Sequence, residues 1–362
     1  MKIAYISDVV YPFVKGGAEK RIYEMGKRLA TQDEVHVFGV KWWKGESDIE
    51  LDGINIHGIC KPLGLYTGRR RSFKEALRFA ASLRPLLNYD FDIIDCNQFP
   101  YLHCFPARVI SQLKDVSFVI TWHEWWGNYW YTYIGAAGFV GKLIERATAR
   151  MADQIIAVSQ NTADSLRRHA ADVSLVPNGV DTVYINSVPP AQCDIDALFV
   201  GRLIPEKHVD TLIRAVPADL TLCVIGDGPE KRSLMQLAEQ QHKRVTFVSS
   251  LPYEDIIGVM KASQSLVLPS SREGFGIVAL EALACGTPVI TSNAQENAAA
   301  ALIDQGENGF AVEIAANQIR SALLKIDKSK MGRAATTKAA KFDWNPLAEK
   351  LRREYQSLIR YT

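Results

Sequence analysis

Short apolar runs alternate with amphipathic helical periods along the whole chain, the rhythm of parallel sheets with helices on both faces. In the first half the pattern predicts strands over 2–7, 34–40, 54–59, 93–96, 117–121, 155–158 and 174–176. Helices are predicted between them at about 18–31, 73–87, 102–114, 139–151 and 159–169. From Thr182 to Asp194 the periodicity fades around Pro189-Pro190, which predicts an interdomain linker at 182–194. The rhythm then restarts with strands over 195–200, 221–225, 245–248, 265–268, 288–291 and 310–312. This predicts an α/β protein of two doubly wound domains, 1–181 and 195–344. A last helix over 345–362 has Pro346 near its first turn.

Composition sharpens this picture only in part. The chain has 362 residues, long enough for two α/β cores, and its 48% hydrophobic and 23% charged residues describe a globular protein. A net charge of +2 provides no global field that would steer nucleic acid. Its six cysteines show neither a C-x-x-C nor a zinc spacing, so reduced thiols in a cytoplasm are expected. Asp8 interrupts the opening apolar run that a signal peptide needs, and no run reaches bilayer length. Attachment to the inner face of a membrane stays open.

Chemistry concentrates in the stretch Pro269 to Pro288. The apolar run 265–268 predicts a buried parallel strand whose carboxyl end, where open α/β sheets bind ligands, is Pro269-Ser270-Ser271. Gly274 and Gly276 let backbone approach a ligand, and the helix opening beside Phe275, Gly276 and Ile277 offers unpaired N–H groups to a diphosphate. Glu273 precedes that helix. Glu281 lies about one and a half turns inside it, roughly 7 Å along the axis. A capped amphipathic helix with two solvated glutamates is the plain alternative, but packing does not jointly demand two carboxylates, paired glycines and Gly286-Thr287-Pro288.

Other loops carry weaker signals singly. Arg202 and Lys207 follow the strand 195–200 on one loop, where two cations can grip accumulating anionic charge. Gly16 and Gly17 open a helix after the first strand, without the G-x-G-x-x-G of a nicotinamide site. His123 follows the strand 117–121. Gly226-Asp227-Gly228-Pro229 and Asn178-Gly179 read as turns. Asp90-Phe91-Asp92 and Asp194-Ile195-Asp196 each precede a strand, the wrong end for a ligand, and are expected to be strand-entry residues with no metal.

Taken together, Arg202-x4-Lys207, Gly226-x-Gly228-Pro229, Asn178-Gly179-Val180-Asp181, the histidine at 123 and Glu273-x7-Glu281 resemble the family 4 retaining glycosyltransferases with the GT-B fold. The resemblance implies two Rossmann-like domains facing across a cleft, with the terminal helix crossing back to the first. It also implies a metal-independent retaining enzyme using a nucleotide-diphosphate sugar, UDP- or GDP-linked, with no separate cofactor. Glu273, His123, Arg202 and Lys207 take the catalytic positions in that likeness. Gly16, Gly17, Arg202, Lys207, Gly274, Phe275, Gly276, Ile277 and Glu281 take the donor-binding ones. Three departures stand out. His208 replaces the glycine usual after the lysine, leaving the turn in question. Ser249-Ser250 replaces a glycine beside the base. Finally, 293–297 replaces paired glycines, so that Gln295 or Glu296 could shape a pocket edge. An epimerase on the same fold and a non-catalytic sugar-nucleotide binder are the rival readings.

The acceptor leaves two traces in the first domain. Lys61 to Arg84 holds seven basic residues, including Arg69, Arg70 and Arg71, against Glu75 alone, a local charge of +6. Trp122 to Tyr133 holds four of the chain's seven tryptophans. A glycan or lipid-linked acceptor, met at an anionic membrane surface, is expected from this pairing. A solvated basic helix beside an aromatic core loop is the alternative.

Overall fold

The computed structural model describes residues 1–67, 70–170 and 172–359. It divides into two compact units, Met1–Asn178 together with the terminal segment from Trp344, and Gly179–Asp343.

The first unit is built on an eight-stranded sheet. Its spatial order is Val173–Leu175, Gln154–Ala157, Ser117–Trp122, Ile93–Asn97, Lys2–Ile6, Glu34–Val40, Ile54–Cys60 and Asp48–Leu51. All neighbours run parallel except the last pair. That antiparallel edge strand, too short and too polar to show a period, is absent from the sequence prediction. Side chains alternate to two cores, as the period of two requires. Ala4, Ile6, Phe38 and Ile94 face one side with Phe79, Ala107 and Leu166 of the overlying helices. Ile3, Tyr5, Val35 and Ile93 face the other with Met25 and with Trp344, Leu351 and Tyr355 of the helix Trp344–Leu358. The terminal helix is thus part of the first unit's core, and Arg352 Nε donates to Asp33 Oδ2 at 2.7 Å. The helix expected over 73–87 ends at Ala81, and a 3-10 turn Arg84–Asn88 follows because Pro85 cannot donate to a continuing α-helix.

The second unit has six parallel strands in the order Arg244–Val248, Thr221–Ile225, Ile195–Val200, Ser263–Leu268, Val289–Ser292 and Gly309–Val312. Leu266, Val267 and Leu268 are buried, which is why this run lacks alternation. The boundary between units falls at 178/179, ahead of the expected linker. Segment 182–194 is not a free tether. It begins with the helix Thr182–Ser187, capped by the Asp181 carboxylate on Tyr184 N at 2.9 Å. It is then fastened to the helix Tyr253–Ala262 by Ala191 N to Gly258 O, 2.9 Å, and Lys261 Nζ to Val188 O, 2.6 Å. Six helical residues are too few for a period to be read.

Candidate active site

Strand order in the second unit reverses at one place. From Ile195–Val200 the chain proceeds outward through 221–225 and 244–248, then returns to Ser263–Leu268 on the other side. Ligands of open α/β sheets bind at such a switch point. Both candidate loops leave from it: 201–208 from one central strand and 269–276 from the other.

The structure joins them. Lys207 and Glu273 form an ion pair, and the same carboxylate oxygen accepts the Ser270 hydroxyl at 2.8 Å. Ser271 N donates to Glu206 O at 2.9 Å, tying backbone to backbone. Arg272–Glu273 forms a two-residue parallel ladder with Glu296–Asn297, fixing Glu273 just ahead of the helix Ile277–Ala284. Among the described residues no side chain caps that helix; its N-cap is Gly276, at φ 89° and ψ 53°. A Cβ there would lie 2.5 Å from Ala299 Cβ, so only glycine fits. The N–H groups of Ile277, Val278 and Ala279 have no partner within the helix, as at any helix start. Gly274 shows no left-handed backbone, so its conformational freedom is not what the turn uses. Phe275 is buried with its ring edge-on to Phe342 at 5.9 Å, which leaves its backbone alone to meet a ligand.

His208 answers the question raised by the missing glycine. It adopts φ 49° and ψ 40°, the left-handed conformation a glycine would supply, and the turn Pro205–Lys207 survives. Gly226 and Gly228 serve the same loop from beneath. A Cβ on Gly226 would meet Gly201 O at 1.8 Å, and one on Gly228 would meet Leu203 O at 2.3 Å. Leu203 N donates to Asp227 O at 2.8 Å and Glu230 N to Leu203 O at 3.1 Å. This turn is a clamp that holds the cationic loop in place. Arg202, on the same loop, is exposed.

Glu281 is buried in the second turn of its helix and accepts the Tyr253 hydroxyl at 3.0 Å; Tyr253 stacks on Tyr184 at 5.7 Å. Ser249 and Ser250 are exposed, with Lys231 bonded to the Ser249 hydroxyl. In the region 293–297 the informative residue is Asn297 rather than Gln295. Its amide donates to Thr291 Oγ1 at 3.0 Å and Ser292 O at 2.8 Å, and its oxygen caps Ala299 N at 3.1 Å. Glu296 lies 3.9 Å from Arg272. The segment braces the ladder under Glu273. Sequence reasoning missed the roles of Ser270, Tyr253 and Asn297: Tyr253 meets Glu281 from 28 residues away, Asn297 pairs with Glu273 from another strand, and the Ser270 bond to Glu273, though local, follows no helix or strand period.

In the first unit, Gly16 in extended backbone caps the helix Gly17–Leu29, and a Cβ at Gly16 would crowd Glu19 Oε1 at 2.7 Å. His123 follows the strand Ser117–Trp122, its N–H donating to Gln98 Oε1 at 3.0 Å. Its Nε2 is enclosed and has no partner among the described residues, and the same holds for Arg21 Nη2 and Asn97 Oδ1. These three residues line a cavity of about 10 Å³ with Asp95 and Thr121, the room of one water. Burial, then the nearby Arg21 charge, pushes the His123 imidazole down to about 3. Burial pushes Asp95 up to about 6, against the opposing bonds from Tyr355 and Thr121. Among the described residues, Cys96, His103 and Cys104 gather potential ligand atoms within 4.8 Å, all buried, a grouping the linear spacing does not reveal.

The D-x-D carboxylates have structural partners. Asp92 Oδ2 accepts Lys2 N at 2.7 Å, and Asp196 Oδ2 accepts Thr221 N and Oγ1 at 2.7 and 2.8 Å. The acceptor traces need correction. Arg69 lies outside the described residues. Arg71 is not a free surface cation: it is paired with the buried Asp8. Arg70 is exposed, over the Tyr133 ring at 5.8 Å. Trp122 and Trp130 are buried in the core. Buried Glu145 accepts Trp126 N, Gly127 N and Trp130 Nε1 at 2.7, 2.9 and 3.2 Å. Gly141 lets the Trp130 ring lie against its helix, since a Cβ there would be 2.3 Å from Cδ2. Trp125, Trp126 and Tyr133 are half-buried against that core, while Tyr131 is exposed.

A model of glycosyl transferases group 1 matches residues 184–342, and one of glycosyltransferase family 4 matches residues 15–184. Glycogen synthase of Mycobacterium tuberculosis is 29% identical over 217 residues, 56% of this chain and 52% of that protein. D-inositol 3-phosphate glycosyltransferase of Corynebacterium jeikeium is 34% identical over 181 residues, 44% and 43% of the two chains. The chain thus spans about half the length of these curated relatives. Sucrose-phosphate synthase from Thermosynechococcus elongatus superposes with a TM-score of 0.84 at 24% identity, covering 99% of this chain and 98% of that one. Anabaena HepE in complex with UDP-glucose superposes at 0.74 and 20% identity, covering 99% and 100%. At these identities the solved structures speak for the fold alone.

Proposed function

We propose that this chain, which belongs to the family 4 glycosyltransferases of group 1 and has the GT-B fold, is a metal-independent retaining enzyme. Its donor is a nucleotide-diphosphate sugar, UDP- or GDP-linked, and its acceptor a glycan or lipid-linked sugar. The observation that carries this reading is the meeting of Lys207 with Glu273 at the switch point, beside an uncapped helix start.

The roles follow from charge. The diphosphate sits at the N–H groups of Gly276 to Ala279, where the helix dipole and Arg202 and Lys207 favour negative charge. When the bond from the sugar's anomeric carbon to the diphosphate oxygen breaks, charge accumulates on the leaving group, and two preorganised cations stabilise it. The acceptor oxygen bonds to that carbon on the same face, and its proton passes to the departing diphosphate. Glu281 accepts the ribose hydroxyls deep in the helix, and Glu273 accepts hydroxyls of the sugar. Glycines 16 and 17 open backbone toward phosphate or acceptor. His123, held neutral by burial and with its Nε2 enclosed, donates a hydrogen bond to the sugar from Nδ1 rather than shuttling protons.

The test is incubation with a panel of nucleotide sugars, with and without glycan and lipid-linked acceptors, following nucleotide release and sugar identity together. Acceptor-dependent release supports transfer. Change of the sugar without acceptor marks an epimerase, and binding without turnover marks a non-catalytic protein.

A further inference from the structure

We propose that one outer face of the first unit, made by three adjacent helices, is a docking surface for an anionic lipid bilayer. The helices Phe73–Ala81, Cys104–Lys114 and Gly138–Met151 lie side by side on the same side of the sheet. Each is anchored there by its own buried residues, Phe79 on the first, Ala107 and Ile110 on the second and Ala149 on the third, all in one core. What each helix turns outward is therefore on a common face.

That outward face is apolar where a solvated helix would be polar. The first helix exposes Phe73, 68% accessible, and Leu77 one turn on. The second exposes Phe105, Val109 and Leu113, spaced four residues apart and so in line, with Leu113 72% accessible. The third exposes Phe139, Val140 and Leu143. Scattered single apolar residues need no explanation, but aligned ones on three neighbouring helices make a patch that marks an interaction site.

Charge selects the partner. On these three helices every charged side chain that is not buried is basic: Lys74 and Arg78, then Arg108 and Lys114, then Lys142, Arg146 and Arg150. The two acids, Glu75 and Glu145, are buried and occupied by backbone N–H groups of Leu63 and Gly64, and of Trp126 and Gly127. Arg108 and Lys114 are engaged by Asp153 and Asp90 at the helix ends. Exposed Lys61, Arg70 and Arg84 flank the first of these helices in sequence. Apolar side chains bordered by cations match the acyl and headgroup zones of an anionic leaflet. Among the described residues no helix is long and apolar enough to cross a membrane, so the surface lies on a bilayer and does not span it.

This deepens the lipid-linked-acceptor reading and rests on it, and it moves the membrane contact from Arg69, Arg70 and Arg71 and the half-buried aromatic segment to the helix face. The experiment is co-sedimentation of the full chain with phosphatidylcholine vesicles containing or lacking phosphatidylglycerol, without donor or acceptor. It can therefore fail while nucleotide-sugar turnover stands. Wild type is expected to bind the anionic vesicles at low salt and to be released by high salt. Leu77→Gln, Leu113→Gln and Leu143→Gln together weaken binding about tenfold or more, as do Lys74→Ser, Arg78→Ser and Arg146→Ser together. Thermal unfolding of each variant confirms that it is folded, and these outward positions are expected to leave it nearly unchanged. Indifference of wild type to anionic vesicles, or binding unaltered in both folded variants, overturns the proposal. So does a wild-type dimer in solution that the leucine substitutions dissociate while vesicle binding is absent, since the face then belongs to a second copy.

Discussion

Lys207 and Glu273, sixty-six residues apart, share an ion pair in which the carboxylate oxygen also takes the Ser270 hydroxyl. A bound donor would therefore enter a site whose cation and carboxylate already position one another. Glu273→Gln should lower turnover by about 2–4 kcal/mol in transition-state stabilisation. Because the pair is partly open to water, its loss should shift global stability by less than about 1 kcal/mol. Turnover and urea unfolding of the same variant check both halves. Unchanged turnover would remove Glu273 from the site.

Arg202 and Glu281 should fail differently. Arg202→Ala removes stabilisation of charge that develops in the transition state, and should depress kcat by about 2–4 kcal/mol with a small effect on donor affinity. Glu281→Gln keeps the Tyr253 bond and the side-chain volume but weakens charge-assisted bonds to a ribose, so it should chiefly raise the donor's KM. Steady-state kinetics on both variants decide it.

Two loop residues predict opposite stability changes. Gly226→Ala drives a Cβ into Gly201 O, 1.8 Å away, and should destabilise by about 3 kcal/mol or more. His208→Gly relieves a left-handed non-glycine backbone, and should stabilise by about 0.5–1 kcal/mol after the added chain entropy of glycine is subtracted. Denaturant midpoints measure both.

His123 sets a pH dependence whose sign can be stated. Its imidazole titrates at about 3 in the folded chain and near 6.5 unfolded, so the unfolded chain binds the proton more tightly. That contribution to stability is complete above pH 6.5 and is lost as pH falls toward 3. Asp95, raised to about 6, acts oppositely: its contribution is present below pH 3.8 and lost as pH rises through 6. His123→Gln should therefore flatten the acid-side loss. NMR should show no His123 titration between pH 5 and 8; a midpoint near 6.5 would contradict its burial.

How much of this was legible in sequence depended on range. Apolar runs such as Ile195–Val200 and Thr221–Ile225 gave strands at their observed bounds, because burial on both faces makes their central positions apolar without alternation. Glu273 and Glu281 stood out because their spacing is local. Asn297, which braces the ladder under Glu273, and Tyr253, which meets Glu281, left no such trace, since their partners come from other strands and helices. The Trp122–Tyr133 segment was legible only as aromatic density, which does not tell inside from outside; the small residue Gly141 and the buried Glu145 set Trp130 in the core, while Tyr131 stays exposed. The exposed face of Phe105, Val109 and Leu113 became visible only when its helix was placed beside two others.

The central claim is that the second unit holds a nucleotide-diphosphate sugar at the 201–208 loop and the Gly276 helix start. Calorimetric titration of the full chain with UDP, GDP and ADP, in EDTA, tests it most directly. The account predicts saturable binding of at least one diphosphate by wild type in the chelator, weakened about tenfold or more by Lys207→Ala. No binding of any of them, binding only when a divalent ion is restored, or equal binding by the variant would contradict it.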